Sequence, residues 1–143
     1  MDNSQFKREI ILEHYEKPSN KLLENQNIGE GFCSFHNASS SCIDNLTAHV
    51  KFSKNKIIDI KFDGVGCAIS TSSTDIACEL LKNKTKEQAK KIIENYFAML
   101  NNQPYDEKLL GDLNLFNDVN KHLNRIKCAK IGIEAIYHLL NNQ

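Results

Sequence analysis

Two short segments in the first half of the chain alternate apolar and polar residues. In residues 45–53, NLTAHVKFS, the side chains of Leu46, Ala48, Val50 and Phe52 fall on one side. In residues 56–62, KIIDIKF, Ile58, Ile60 and Phe62 face one way while Asp59, Lys61 and the following Asp63 face the other. A period of two marks a strand with one face buried. The connection Lys54-Asn55-Lys56 is short enough to fold the pair into an antiparallel hairpin. Upstream, residues 4–16 carry Phe6, Ile10, Ile11 and Tyr15 as the stripe of an amphipathic helix that stops before Pro18. Residues 18–41, with Gly29, Gly31 and the polar run NASSS, read as a loop holding a short edge strand around Phe32 to Phe35.

From Ala68 onward the apolar spacing is helical. Ile69, Ile76, Leu80 and Leu81 define one helix. Thr85 and Gln88 resemble a capping box that opens a second, through Ala89, Ile92, Ile93, Tyr96 and Met99 to Pro104. Residues 105–123 hold Leu109, Leu110, Leu113, Leu115 and Phe116 around Gly111, which suggests a short helix and a compact connection. The last helix, residues 125–141, aligns Ile126, Ala129, Ile133, Ile136 and Leu140. With sheet early, helices late, and neither repeat nor linker, the pattern predicts one α+β domain over residues 1–143. A small antiparallel sheet of about three strands would pack against the helices.

Composition narrows the partners. The 143 residues are enough for a core without disulfides. Lys plus Arg and Asp plus Glu are both 18, so the net charge is zero. No overall positive field exists for phosphate, and nucleic acid is not an expected partner. The lysine-rich stretch KNKTKEQAKK, residues 82–91, is interrupted by Glu87 and reads as the solvated face of a helix. There is no run of 18 apolar residues and the first residues, MDNSQFKREI, are polar. The chain is therefore expected to have no membrane partner and no secretory signal, and to be cytoplasmic. Five cysteines in a reducing compartment are thiols, metal ligands or core residues rather than a disulfide framework.

Three of those cysteines fall where chemistry is commonly placed. Cys42 ends a polar loop before a strand. Cys67 follows Gly64 and Gly66 at a strand-to-helix turn, beside the free amides of a helix start that favour a thiolate. Cys128 falls in the predicted first turn of the last helix. Asp44, two residues after Cys42, can point the same way on a strand and offer an oxygen ligand. The spacings C-x24-C and C-x60-C, with no C-x-x-C, fit a shared metal or thiol site and also small buried cysteines. Cys78, amid Ile76, Ala77, Leu80 and Leu81, reads as a core residue, and Cys33, between Phe32 and Phe35, as a packing one. The five histidines have no metal-ligand spacing. His14 and His138 fall on helices and His49 on the polar face of a strand, leaving only His36 and His122 on loops that could approach the site.

The stretch FDGVGCAISTSS resembles the G-x-G-C-x-I-S signature of the NifU/IscU-type iron–sulfur scaffold proteins. NRIKCAKIGIEAI resembles their third cysteine segment, and ILEHYEKPSNK their N-terminal helix and its exit. The similarity runs from about residue 6 to 140. Within the family the chain is similar to the SufU branch. An insertion, NNQPYDEKLLGDLNLFNDVNKHLN, precedes the third cysteine segment, and Lys127 stands where the IscU branch has a histidine ligand. The resemblance implies an α+β fold and a site made of Cys42, Asp44, Cys67 and Cys128. In SufU-like members that site holds zinc and accepts sulfur from a SufS-type cysteine desulfurase on a cysteine, and the predicted first-turn helix position selects Cys128 as that acceptor. The first motif, usually N-P-x-C-G-D, reads SSSCID, so Ser40 replaces the proline and Ile43 the glycine.

Three functions follow from the resemblance. The first is a zinc-bound sulfur acceptor that passes persulfide sulfur to downstream iron–sulfur or thiolation acceptor proteins. The second is a scaffold on which iron or a transient iron–sulfur cluster is assembled and transferred. The third is a purely structural zinc module. The first two make the chain a scaffold or sulfur-transfer partner rather than an enzyme in its own right, while the third, of a different class, leaves it an inert site with no partner. A thiol hydrolase is disfavoured because no cysteine has a recognisable histidine and acid pattern.

Overall fold

The computed structural model describes residues 3–23, 26–38 and 43–142. The hairpin forms from β2 (Asn45–Ser53) and β3 (Lys56–Val65), joined by a two-residue turn with Lys54 at φ 57°. β1 (Phe32–Ala38), longer than expected, pairs antiparallel with the other side of β2, giving the order β1-β2-β3. The helices are α1 (Asn3–Glu16), α2 (Ala68–Leu81), α3 (Lys86–Leu100) and α4 (Leu123–Asn141). No helix among the described residues is long and apolar enough to cross a membrane.

α2 and α4 cover the inner face of the sheet, where Leu46, Ala48, Val50, Ile60 and Phe62 are buried. The expected alternation fails at one residue. Lys51 pairs with Asp59 and Phe52 with Ile57, so Ile58 is the extra residue of a β-bulge. The bulge shifts the pleat by one, burying Ile57 in the core and leaving Ile58 42% exposed. The outer edge of β3 is partly covered. Leu22 donates its amide to the Phe62 carbonyl, and the Phe62 amide donates to Asn20.

α1 packs on α2, but not with the expected stripe. Phe6 and Tyr15 are exposed, and Lys7, Ile10, Ile11 and His14 form the half-buried side. A polar tie sets this rotation. His14 Nδ1 lies 2.6 Å from Asp75 Oδ2 on α2, and Asp75 Oδ1 also accepts from the Asn20 amide (2.8 Å) and side chain (3.0 Å). The expected short helix in residues 105–123 is three 3₁₀ turns, with Leu110, Leu113, Phe116 and Val119 buried. Their spacing of three suits a helix with three residues per turn, so one side faces inward throughout.

The predicted capping box is complete. Thr85 Oγ1 accepts from the Gln88 amide and the Gln88 side chain accepts from the Thr85 amide. Buried Tyr96 donates its hydroxyl to the Ala129 carbonyl (2.9 Å), tying α3 to α4. α2 and α4 meet without a spacer, since a Cβ on Gly132 would come within 1.9 Å of Thr74 Oγ1.

Cys78 is fully buried and Cys33 half-buried against the core, as packing residues should be. Burial pushes the Cys78 thiol well above its ordinary pKa, which makes it a poor nucleophile. Cys78→Ala is expected to cost only about 1–2 kcal/mol in urea unfolding and to leave the protein's metal content unchanged. Release of metal by this substitution would overturn the assignment of Cys78 to packing.

Candidate metal centre

The end of β3 is shaped so that Cys67 projects beyond the sheet. Gly64 has φ 116°, and a Cβ there would lie 2.1 Å from the Asn45 carbonyl oxygen, so the strand can close on β2 only with glycine. Cys67 then caps α2. Its Sγ accepts from the Ser70 amide at 3.5 Å, where an oxygen-bearing side chain usually stands.

Asp44, immediately before β2, is 1% exposed. Its Oδ1 accepts from the Cys67 amide (2.9 Å) and from the buried Ser70 hydroxyl (2.9 Å), and its Oδ2 lies 3.9 Å from Cys67 Sγ. α4 brings Cys128 to the same place. One ligand atom each from Asp44, Cys67 and Cys128 lie within 4.8 Å of one another. Burial first, then hydrogen bonds to Asp44 and Cys67 and repulsion from their charges, push the Cys128 thiol well above its ordinary pKa. A cluster of one buried carboxylate and two thiols is crowded with potential negative charge, and a dication is the natural counter-charge. The donor set fits zinc. Ligands about 2.0–2.3 Å from a tetrahedral zinc are themselves about 3.3–3.8 Å apart, so this cluster needs little adjustment to converge on one ion.

The geometry departs from the sequence reading at Cys128. Cys128 is the sixth residue of α4 and lies in its second turn, because the helix begins at Leu123 rather than near residue 125. Of the two cysteines expected at helix starts, Cys67 alone is at one, as predicted. Cys42 and Ser40 lie outside the described residues, so the fourth expected ligand has no position to compare.

The histidines stand elsewhere. His36 is on β1 rather than a loop and bonds Asn45 Oδ1, while His122 is exposed before α4. His49 is buried between Ser34 Oγ (2.6 Å) and Asp63 Oδ2 (2.9 Å), although it belongs to the sheet's outer, polar side. His14, Asp75 and Glu79 make a second close group of potential ligands. There Asp75 is occupied in tying α1 and the Asn20 segment to α2.

Ser70 closes the G-x-G-C-x-I-S signature, but its part in aiming Asp44 is seen only in the structure. A signal existed. Residues 70–75, STSSTD, are a polar run in a helix that the apolar spacing buries, and all six are buried. Ser72, Ser73 and Thr74 donate to carbonyls of their own helix, which satisfies them locally. Ser70 also spends its hydroxyl outward, on Asp44.

The fold and the cluster define a class: small α+β domains in which a sheet end and two helices converge thiolates and a carboxylate on one point. The chain belongs to the NifU-like N terminal domain family, whose model matches residues 6–129. It is 31% identical over 130 residues to the zinc-dependent sulfurtransferase SufU of Bacillus subtilis, covering 90% of this chain and 85% of that one. It is 35% identical over 97 residues to the iron–sulfur cluster assembly scaffold protein IscU of Streptococcus pyogenes, covering 67% of this chain and 61% of that one. Among solved structures it is similar to a putative iron–sulfur cluster assembly scaffold protein for the SUF system from Fervidobacterium islandicum. That match has a TM-score of 0.79 and 31% identity, and covers 92% of this chain and 94% of that one.

Proposed function

We propose that this chain is an iron–sulfur cluster assembly protein of the SufU type, which holds zinc and takes persulfide sulfur from a SufS-type cysteine desulfurase. The convergence of Asp44, Cys67 and Cys128 from three separate elements within 4.8 Å carries this reading. The zinc ligands would be these three residues and Cys42. Bound zinc would supply the Lewis acidity that keeps the thiols deprotonated near neutral pH.

The chain's own groups divide the work. Cys67 is held at the cap of α2 by the Ser70 amide, and Asp44 by the Cys67 amide and the Ser70 hydroxyl. Both are therefore fixed in orientation. Cys128 lacks the helix-start amide that holds Cys67, and we assign it the acceptor role. Its thiolate attacks the outer sulfur of the desulfurase persulfide. The new S–S bond forms as the old one breaks, and the desulfurase cysteine leaves as a thiolate. The persulfide sulfur then moves to a downstream acceptor protein by the same exchange.

The cluster among the described residues contains no imidazole, and the residue before Cys128 is the exposed Lys127. This favours sulfur transfer over cluster building, although the relatives include both a sulfurtransferase and a cluster assembly scaffold protein.

The test is alanine release by a SufS-type desulfurase with and without this protein. Wild type should raise the steady-state rate several-fold, and Cys128→Ser should not. Asp44→Ala protein that still binds zinc but no longer stimulates would place exchange at that ligand within the mechanism. A fully metallated wild type without effect would instead indicate a structural zinc module.

A further inference from the structure

The tip of the hairpin and the start of α3 meet at the end of the molecule remote from the metal centre. The Lys86 amide donates to the Asn55 carbonyl (2.9 Å), the Asn55 side chain donates to Glu87 (2.5 Å), and Lys56 bridges Thr85. These contacts gather Lys54, Lys56, Lys84, Lys86, Lys90 and Lys91 at one end of a chain whose net charge is zero. Glu87 lies among them but is already engaged. Its carboxyl is held below the usual range by its own backbone amide, then by Asn55 and Lys90. β3 runs ten residues from this end to Val65. Along the strand Lys56 is therefore about 30 Å from Val65, and α2 separates Cys67 from the Lys84 segment by about 20 Å.

The bulge adds an apolar element. Ile58, two residues from Lys56, is turned to solvent and 42% exposed, while its neighbour Ile57 is fully buried. The Ile57 amide donates to the Lys84 carbonyl, which brings both lysine-bearing segments alongside it.

We propose that this end is a docking surface for an acidic protein segment, with carboxylates against the lysines and an apolar side chain against Ile58. Its chemistry suits protein better than nucleic acid. The cations are all lysines, which act as point charges without the fork that reads phosphates and bases in pairs. The Phe52 ring is already covered by Lys86 Nζ, 4.8 Å from its centre, and is not open for base stacking. A stable hold on a membrane surface takes an apolar anchor besides a basic patch, and among the described residues Ile58 is the one exposed large apolar residue at this end. Asp59, beside Ile58, is paired with Lys82 (3.8 Å), so the remaining lysines leave an excess of positive charge that an acidic protein segment complements. A partner docked here leaves the metal centre free for a second protein. The proposal does not depend on the chemistry assigned to that centre.

The test is fluorescence anisotropy with a labelled peptide of glutamates flanking a single leucine. Transfer RNA and phosphatidylserine vesicles serve as competing probes, and zinc content is measured on every variant. Wild type should bind the peptide in the micromolar range. Binding should weaken about tenfold in Lys54→Glu/Lys84→Glu/Lys91→Glu and measurably in Ile58→Ser, with zinc content unchanged. The triple variant Lys17→Glu/Lys108→Glu/Lys121→Glu, which changes charge equally at other exposed positions, should bind nearly as wild type does. Equal loss in both triple variants would overturn the proposal by showing only a net-charge effect. Tighter binding of transfer RNA or vesicles than of the peptide would overturn it in favour of those partners.

Discussion

Cys67→Ser should take the protein from about one zinc per chain to almost none, and this is the largest change expected from any single substitution. Serine can still cap α2 and accept from the Ser70 amide, so the helix start survives. What is lost is a thiolate ligand, and a hydroxyl at neutral pH does not replace it. Metal affinity is coupled to folding, because the ligands converge only in the folded chain. The variant should therefore unfold at lower urea than zinc-loaded wild type, while zinc-stripped wild type should unfold close to the variant. Metal analysis of gel-filtered protein and parallel urea titrations make the comparison. Retention of one tightly bound zinc by Cys67→Ser would remove Cys67 from the ligand set.

Asp75→Ala should destabilise the fold by about 3–5 kcal/mol without changing any proposed ligand. The Asp75 side chain is fully buried and accepts from His14, the Asn20 amide and the Asn20 side chain. Alanine leaves those donors facing a buried site with no acceptor, and burying them unsatisfied costs more than the bonds contributed. The loss is a large part of the roughly 5–15 kcal/mol that holds a domain together. It should appear as a lower midpoint in urea with the slope unchanged. Asp75→Asn keeps one carbonyl acceptor and should lose less. A cost below about 1 kcal/mol for Asp75→Ala would mean that water or a shift of α1 satisfies those groups.

What the sequence revealed was local. The Thr85–Gln88 box, the Lys54-Asn55 turn and the two strands beside it depend on neighbours a few residues away, and all are present. The three-stranded antiparallel sheet under helices followed from those elements and from the family signature around Cys67. Two misreadings needed a distant partner, and two came from weak local signals. The stripe of α1 looked correct by spacing, but its rotation is set by Asp75, sixty-one residues from His14. Ile58 fits an alternating strand, and only the pairing of Lys51 with Asp59 reveals the bulge that turns it outward. Cys128 was placed one turn too early because the polar residues before it give no start signal, and His122 makes no side-chain cap. The leucines of residues 110–119 were visible, but a spacing of three is equally that of an irregular helix. For the site, Asp44, Cys67 and Cys128 could be named from the sequence. The part of Ser70 in orienting Asp44 was hidden in a run of small polar residues.

The bare contact of Gly132 with Thr74 has a consequence for which substitutions this chain can tolerate. Gly132 is one turn beyond Cys128 on α4, and Thr74 is two turns beyond Cys67 on α2, so the contact lies on the same helical faces as the two thiols. The distance between those helices is thus gauged by the absence of a side chain, and the spacing of the two sulfurs inherits it. Any Cβ at position 132 acts as a wedge, and the helices must part by more than an ångström to admit it. A residue outside the proposed ligand set thereby sets the bite of the pair, and a hunt for variants of the candidate metal centre confined to the cysteines and the aspartate would miss it.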